Sequence, residues 1–200
     1  MISRSPRFAV IPAAALAFVT MTACAHAEGE HAHAPASGGV VTPAPAAVSS
    51  MVEADVVGLD GKTLGKVVLQ QIPAGVLVSA DVKGIPAGEH GFHFHQKGIC
   101  DPAAKFETSA GHFTGGDHQH GYLVAQGPHG GDMPNQHVGA DGVLKTQILN
   151  TGVTLGSGPK SLFDADGTAL VIHAGADDYT SQPSGNAGGR IACAVIAKAK

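Results

Sequence analysis

From Val52 onward the chain alternates. In "VLVSADV", Val76, Val78, Ala80 and Val82 fall on one side of an extended backbone, and Leu77, Ser79 and Asp81 fall on the other. A period of two is the signature of a strand with one face buried. Strand-length runs recur as "VEADVVGL", "GKVVLQQI", "GVLVSADVKGI", "EHGFHFHQ", "GVLKTQILN", "TALVIHAG" and "RIACAVIA". The first four are separated by "DG", "PAG" and "PAG", whose residue types favour tight turns. No convincing amphipathic helix appears. The pattern predicts an all-β domain interrupted by two long stretches without strand character, at about 98–137 and about 174–189. Loops of that length in a compact domain are usually functional, and often something inorganic holds them in place.

Composition sharpens this picture. Tryptophan is absent and aromatics make up 4% of the residues, so the core must be built from Val, Ile, Leu and Ala. The 28 glycines and 12 prolines suit turns better than long helices. At the N-terminus, Arg4 and Arg7 precede the apolar "FAVIPAAALAFVTMTA", and Ala25 and Ala27 offer an A-x-A cleavage site. Residues 1–27 therefore read as an export signal. "MTAC" is also a loose match to a lipoprotein signal, so anchoring to a membrane through a lipidated Cys24 is an open alternative. Residues 28–49 are rich in Ala, Pro, Gly and Ser and read as a flexible tether, with the folded domain at 50–200. The tail histidines His26, His31 and His33 are either solvated or loosely metal-binding. Beyond the leader no apolar run is long enough to span a membrane.

Loss of residues 1–27 leaves ten basic and sixteen acidic side chains, a net charge of −6 with His neutral. No basic patch points to a nucleic-acid partner. Export to the periplasm exposes the chain to oxidising conditions. Cys100 and Cys193 are then expected to pair, closing a loop of nearly a hundred residues that is worth about 4–5 kcal/mol in chain entropy.

Candidate chemistry is concentrated in the histidines. Eight of the 12 lie between residues 90 and 137. On a strand, His93 and His95 project from the same face, close enough to hold one ion. The loop "GHFTGGDHQHGYLVAQGPHGGDMPN" supplies His112, His120, His129 and Asp132. Three imidazoles and one carboxylate form a closed tetrahedral set suited to structural zinc. His173, at the end of the apolar run in "LVIHAG", joins His93 and His95 as nitrogen ligands suited to copper.

Four motifs, in order along residues 52–198, resemble those of exported bacterial copper/zinc superoxide dismutases. "GFHFHQKG" is similar to the family's G-F-H-V-H, "GHFTGGDHQHG" to its bridging-histidine loop, "GPHGGDMPN" to its zinc loop, and "GNAGGRIACAVI" to its C-terminal signature. The resemblance implies a Greek-key, immunoglobulin-like β-sandwich or barrel with two long functional loops. It implies conversion of superoxide to dioxygen and hydrogen peroxide by a copper ion that is alternately reduced and oxidised. It assigns His93, His95, His112 and His173 to copper, and His112, His120, His129 and Asp132 to zinc, so that His112 bridges the two. Arg190 and His112 would be catalytic, with Arg190 receiving the anion. Asp177 would hydrogen-bond ligands of both metals, and Cys100–Cys193 would match the family disulfide. A monomer or a homodimer fits equally.

Some positions depart from the family pattern. Phe94 stands where Val is common and is tolerable only if it points into the sandwich. "HFTG" replaces H-F-N-P, so the local turn differs. The loop "DDYTSQPSGNAGG" lacks the lysine that bacterial relatives often carry between the tyrosine and the arginine, which places more of the substrate's attraction on Arg190 and the metals. His118 competes with His120 as a zinc ligand, and the following Gly121 favours His120. His90 and His137 are expected to be surface or packing residues. A non-catalytic relative would lack a copper ligand or the arginine, and a metal-buffering protein would carry many weak sites.

Overall fold

The computed structural model describes residues 50–197. The export signal over 1–27, Cys24 and the tether over 28–49 lie outside the described residues. Eight strands follow in order: β1 (Met51–Gly58), β2 (Thr63–Ile72), β3 (Gly75–Lys83), β4 (Gly88–His95), β5 (Asp132–Val138), β6 (Val143–Asn150), β7 (Thr168–His173) and β8 (Arg190–Ile196). Their order in the sheet is β5-β4-β7-β8-β1-β2-β3-β6, and every neighbouring pair is antiparallel. The edge strands β5 and β6 are consecutive in the chain, linked through residues 139–142, and they approach each other so that the sheet nearly closes into a barrel. Their approach shelters the edges that an open sheet would offer to other chains. Among the described residues the only helical element is a single 3₁₀ turn, Glu107–Ser109.

The period of two sorts the side chains as expected. Val76, Val78, Ala80 and Val82 point into the core. Phe92 and Phe94 join them from β4, so the aromatic at 94 does point inward. His93 and His95 then face the outside of the barrel, yet β4 is buried from His90 to His95. β7 is buried along its whole length. Both strands are covered outside as well as inside, because residues 96–131 and 174–189 lie over them.

One strand escapes the sequence pattern. β5, "DMPNQHV", falls in the stretch read as a loop to about 137, so that loop ends at 131. Pro134 disguised it. The strand sits at a sheet edge, and its register with β4 slips between His90 and Phe92, leaving Pro134 and Asn135 unpaired opposite Gly91. Proline has no N–H to give a ladder, so it is tolerated at an edge bulge.

The first loop is fastened to the outer face by its own small core. Phe106 is fully buried against Ala169, Val171 and Cys193, with Val57 and Cys100 beside it. Cys100 and Cys193 are joined as a disulfide, with Cα atoms 5.7 Å apart across a separation of 93 residues. Replacing both cysteines by serine is expected to cost about 4 kcal/mol of unfolding free energy in denaturant titrations of the metal-free protein. A loss below about 1 kcal/mol would mean that the Phe106 cluster holds the loop unaided.

Candidate metal centre

Two groups of side chains converge on the outer face of β4. In the first, His93, His95, His112 and His173 each offer a ligand atom, and these atoms lie within 4.8 Å of one another. In the second, His112, His120, His129 and Asp132 meet the same limit. β4 supplies His93 and His95, the end of β7 supplies His173, and the first loop supplies His112, His120 and His129, with Asp132 opening β5. His112 belongs to both groups, one ring nitrogen to each. Its Nδ1 lies 2.9 Å from Asp132 Oδ1, while its Nε2 is buried with no partner.

The hydrogen bonds on the far sides of the rings fix which nitrogens face inward. The Nδ1–H of His95 donates to Ala110 O at 2.9 Å, and that of His173 donates to Gly188 O at 3.3 Å. Both Nε2 atoms are then lone-pair nitrogens, and they confront each other at 3.3 Å. Two lone pairs at that distance repel unless a cation sits between them. His93 donates through Nε2 to Asp177 Oδ2 at 2.8 Å, leaving a buried Nδ1 unpaired. His120 donates through Nε2 to Asp177 Oδ1 at 3.0 Å, which turns its Nδ1 toward Asp132 Oδ1 at 3.1 Å. His129 Nδ1 is also buried and unpaired, 3.5 Å from the same oxygen. Orphaned, desolvated nitrogens that converge from pinned rings are the donor sets that metal ions require. The first group is all nitrogen, the second three nitrogens and one oxygen, and these suit copper and zinc respectively.

Electrostatics point the same way. Burial, helped by His112, drives His95 well below its ordinary pKa. Burial, reinforced by His93, lowers His112 to about 4 against the pull of Asp132. Burial and His93 take His173 down to about 3. All three are neutral at pH 7 and keep their lone pairs free. His120 is the exception: burial opposes its charge, but Asp132 and Asp177 together raise it to about 9. Without metal, a proton on Nδ1, shared with Asp132, stands where the second donor group would meet a cation. Burial works against ionising Asp132, and the hydrogen bonds from His112 and His120 overcome it, holding its pKa far below the usual carboxylate range.

Asp177 ties the groups together, because its two oxygens reach one ring from each. Its own position is set from β5. Asn135, in the edge bulge, donates through Nδ2 to Asp177 O and accepts from Asp177 N, both at 2.8 Å, and the Asn135 N–H donates to Tyr179 Oη. Gly185 completes the packing. At φ +68°, a Cβ there would lie 1.8 Å from Asp177 Oδ1 and 2.6 Å from His120 Nε2, so no other residue fits. Arg190, at the start of β8, donates through Nη1 to Phe106 O at 2.8 Å and Ser109 Oγ at 2.9 Å.

The structure brings together every side chain that the sequence singled out as a ligand. It leaves His118 exposed and buries His120 completely. His137 is a surface residue paired with Glu89. His90 is buried, with its ring nitrogens 2.7 Å from His173 O and 2.8 Å from Pro86 O, so it braces the backbone of a ligand. Asn135, Ser109 and Gly185 went unread in the sequence, since their partners are distant in the chain. Only the glycine run "SGNAGG" hinted that backbone passes close to something.

A family model for copper/zinc superoxide dismutase matches residues 63–196. Superoxide dismutase [Cu-Zn] 1 of Aquifex aeolicus is 48% identical over 145 residues, covering 72% of this chain and 85% of that one. A solved superoxide-dismutase-like protein from Bacillus subtilis superposes with a TM-score of 0.69 at 33% identity, over 74% of this chain and all of that one. The copper/zinc superoxide dismutase of Brucella abortus superposes with a TM-score of 0.58 at 25% identity, over 74% of this chain and 99% of that one.

Two outcomes are expected. Gly185→Ala, by displacing Asp177, weakens zinc binding about ten- to a hundredfold in competition with a chelator, and unchanged affinity would remove Asp177 from the support of His120. The metal-free protein should be most stable near pH 6.5. Below that, the unfolded chain takes up protons that His95, His112 and His173 refuse, so stability falls with pH through about 4 and 3. Above it, the stabilisation carried by protonated His120 disappears as pH rises through about 9. Thermal midpoints between pH 4 and 9 measure this, and a plateau across that range would contradict it.

Proposed function

The chain belongs to the copper/zinc superoxide dismutase family, and on that premise we propose how its residues share the work of converting two superoxides and two protons into dioxygen and hydrogen peroxide. When bound, copper supplies the one-electron exchange through two oxidation states, and zinc, which has no accessible redox change, supplies a fixed second positive charge. His93, His95, His112 and His173 would hold copper, and His112, His120, His129 and Asp132 would hold zinc. Arg190 receives the anion with a planar cationic fork. His112 carries the proton: its Nε2 takes one up and gives it to the reduced substrate, while Nδ1 stays fixed on the Asp132 side. The second proton comes from water. Asp177 keeps the rings of His93 and His120 turned inward, and the two loops restrict entry to a small anion.

The observation that carries this reading is the double membership of His112, whose two ring nitrogens face two separate donor sets. The disulfide supports an oxidising compartment, so we infer export to the periplasm, with residues 1–27 as the signal. Cleavage after Ala27 and lipid attachment at Cys24 are told apart by the mass of the mature chain.

The test is superoxide scavenging by protein loaded with both metals, alongside His112→Ala. The variant is expected to lose at least about a hundredfold in activity, the upper end of what disturbing a ligand's support costs, and to bind the two metals with altered stoichiometry. Equal activity in the two proteins would overturn the assignment of His112.

A further inference from the structure

Arg190 does not face the entrance alone. A cavity of about 420 Å³ opens onto His95, His112 and His173, and Arg190 and Glu107 both line it. Among its described lining residues these two are the only ones with a fixed charge, so the arginine's charge is cancelled inside the channel that needs it. The contact is direct: Arg190 Nη2 lies 3.2 Å from Glu107 Oε2. Both donors on Nη1 are already committed to Phe106 O and Ser109 Oγ. Glu107 therefore occupies part of the edge of the guanidinium left for an incoming anion. The glutamate is the outer partner, with 67% of its side chain exposed against 13% for Arg190.

We propose that Glu107 is a specificity-determining residue, a counter-charge that keeps oxyanions of higher charge off Arg190 while admitting a small monoanion. The proposal rests on Arg190 as the anion receiver. An unshielded guanidinium is a ready bidentate site for phosphate, with which superoxide would have to compete. A carboxylate at 3.2 Å alters that competition by charge. A dianion feels twice the repulsion of a monoanion and needs more room on the fork. Glu107 is the exposed, solvent-screened half of the pair, so the pair contributes little net energy and a small anion can displace the glutamate without a large barrier. The arrangement sacrifices some attraction for superoxide to gain discrimination. It compounds the absence of the loop lysine between Tyr179 and Arg190.

The test compares Glu107→Gln with the natural protein, both loaded with copper and zinc. Removing the charge should raise kcat/KM for superoxide about threefold at low ionic strength and steepen its fall with salt. Inorganic phosphate should inhibit the variant at about one tenth of the concentration. Phenylglyoxal modification of Arg190, followed by peptide mass spectrometry, should be faster in the variant and slowed by phosphate. An unchanged salt slope with unchanged phosphate sensitivity would overturn the proposal. A fall in kcat/KM at full metal content would also overturn it, since Glu107 would then be holding Arg190 in place. Absence of scavenging by the natural protein would defeat the functional reading instead, and phosphate protection of Arg190 would still decide the role of Glu107.

Discussion

Five imidazoles in this protein turn lone pairs or unpaired nitrogens toward one another in a region sheltered from water, a sixth, His120, joins them on Asp132, and everything around them follows from that constraint. Nitrogen lone pairs 3.3 Å apart, as between His95 and His173, are unfavourable on their own. They are tolerable only where cations complete them. The protein prevents escape by pinning the far nitrogen of each of four rings to a carbonyl or a carboxylate: Ala110 O for His95, Gly188 O for His173, and Asp177 for both His93 and His120. A ring so pinned cannot turn away: the inward nitrogens of His95 and His173 keep their lone pairs, while that of His120 shares a proton with Asp132 in the absence of metal. The same burial that strips water from these rings lowers the proton affinity of His95, His112 and His173 and leaves them ready for metal.

The barrel makes that arrangement affordable. A strand has two faces, and β4 uses one for packing and the other for chemistry. Phe92 and Phe94 anchor it in the core, while His93 and His95 project outward at fixed spacing. β7 repeats the device, with Leu170 and Ile172 inside and His173 at the end of the outer face. Rigid strands thus carry four ligands, the fourth being Asp132 at the start of β5, and the first loop delivers His112, His120 and His129. A loop has no core of its own, so this one is tethered three ways: by the Cys100–Cys193 disulfide, by Phe106 in its outer cluster, and by the carboxylate of Asp132, whose Oδ2 accepts the backbone N–H groups of Gly121 and His129. The second loop is held through Asn135 and Asp177.

These tethers also place the charges at the entrance. The turn that buries Phe106 presents its carbonyl and the Ser109 hydroxyl to Arg190, and Glu107, the residue after Phe106, meets the guanidinium from outside. Packing beside the disulfide and control of the anion site are therefore parts of one local structure. A change at Phe106 or Cys100 would reach the channel through Arg190, although neither side chain belongs to a donor set.

The sequence by itself determined the strand pattern, the inward row of β3, the pairing of two cysteines and the chemical character of each ligand group. Those properties depend on periodicity and residue type, which are local. It misjudged β5, because an edge bulge lets proline sit in a strand, and being an edge is a property of the whole sheet. It could not show that Asn135 clamps Asp177, that Gly185 must lack a side chain, or that Glu107 lies on Arg190. Each of these joins residues far apart in the chain or turns on contacts a few tenths of an ångström wide, and only the nearly closed barrel with its folded-back loops brings them within reach.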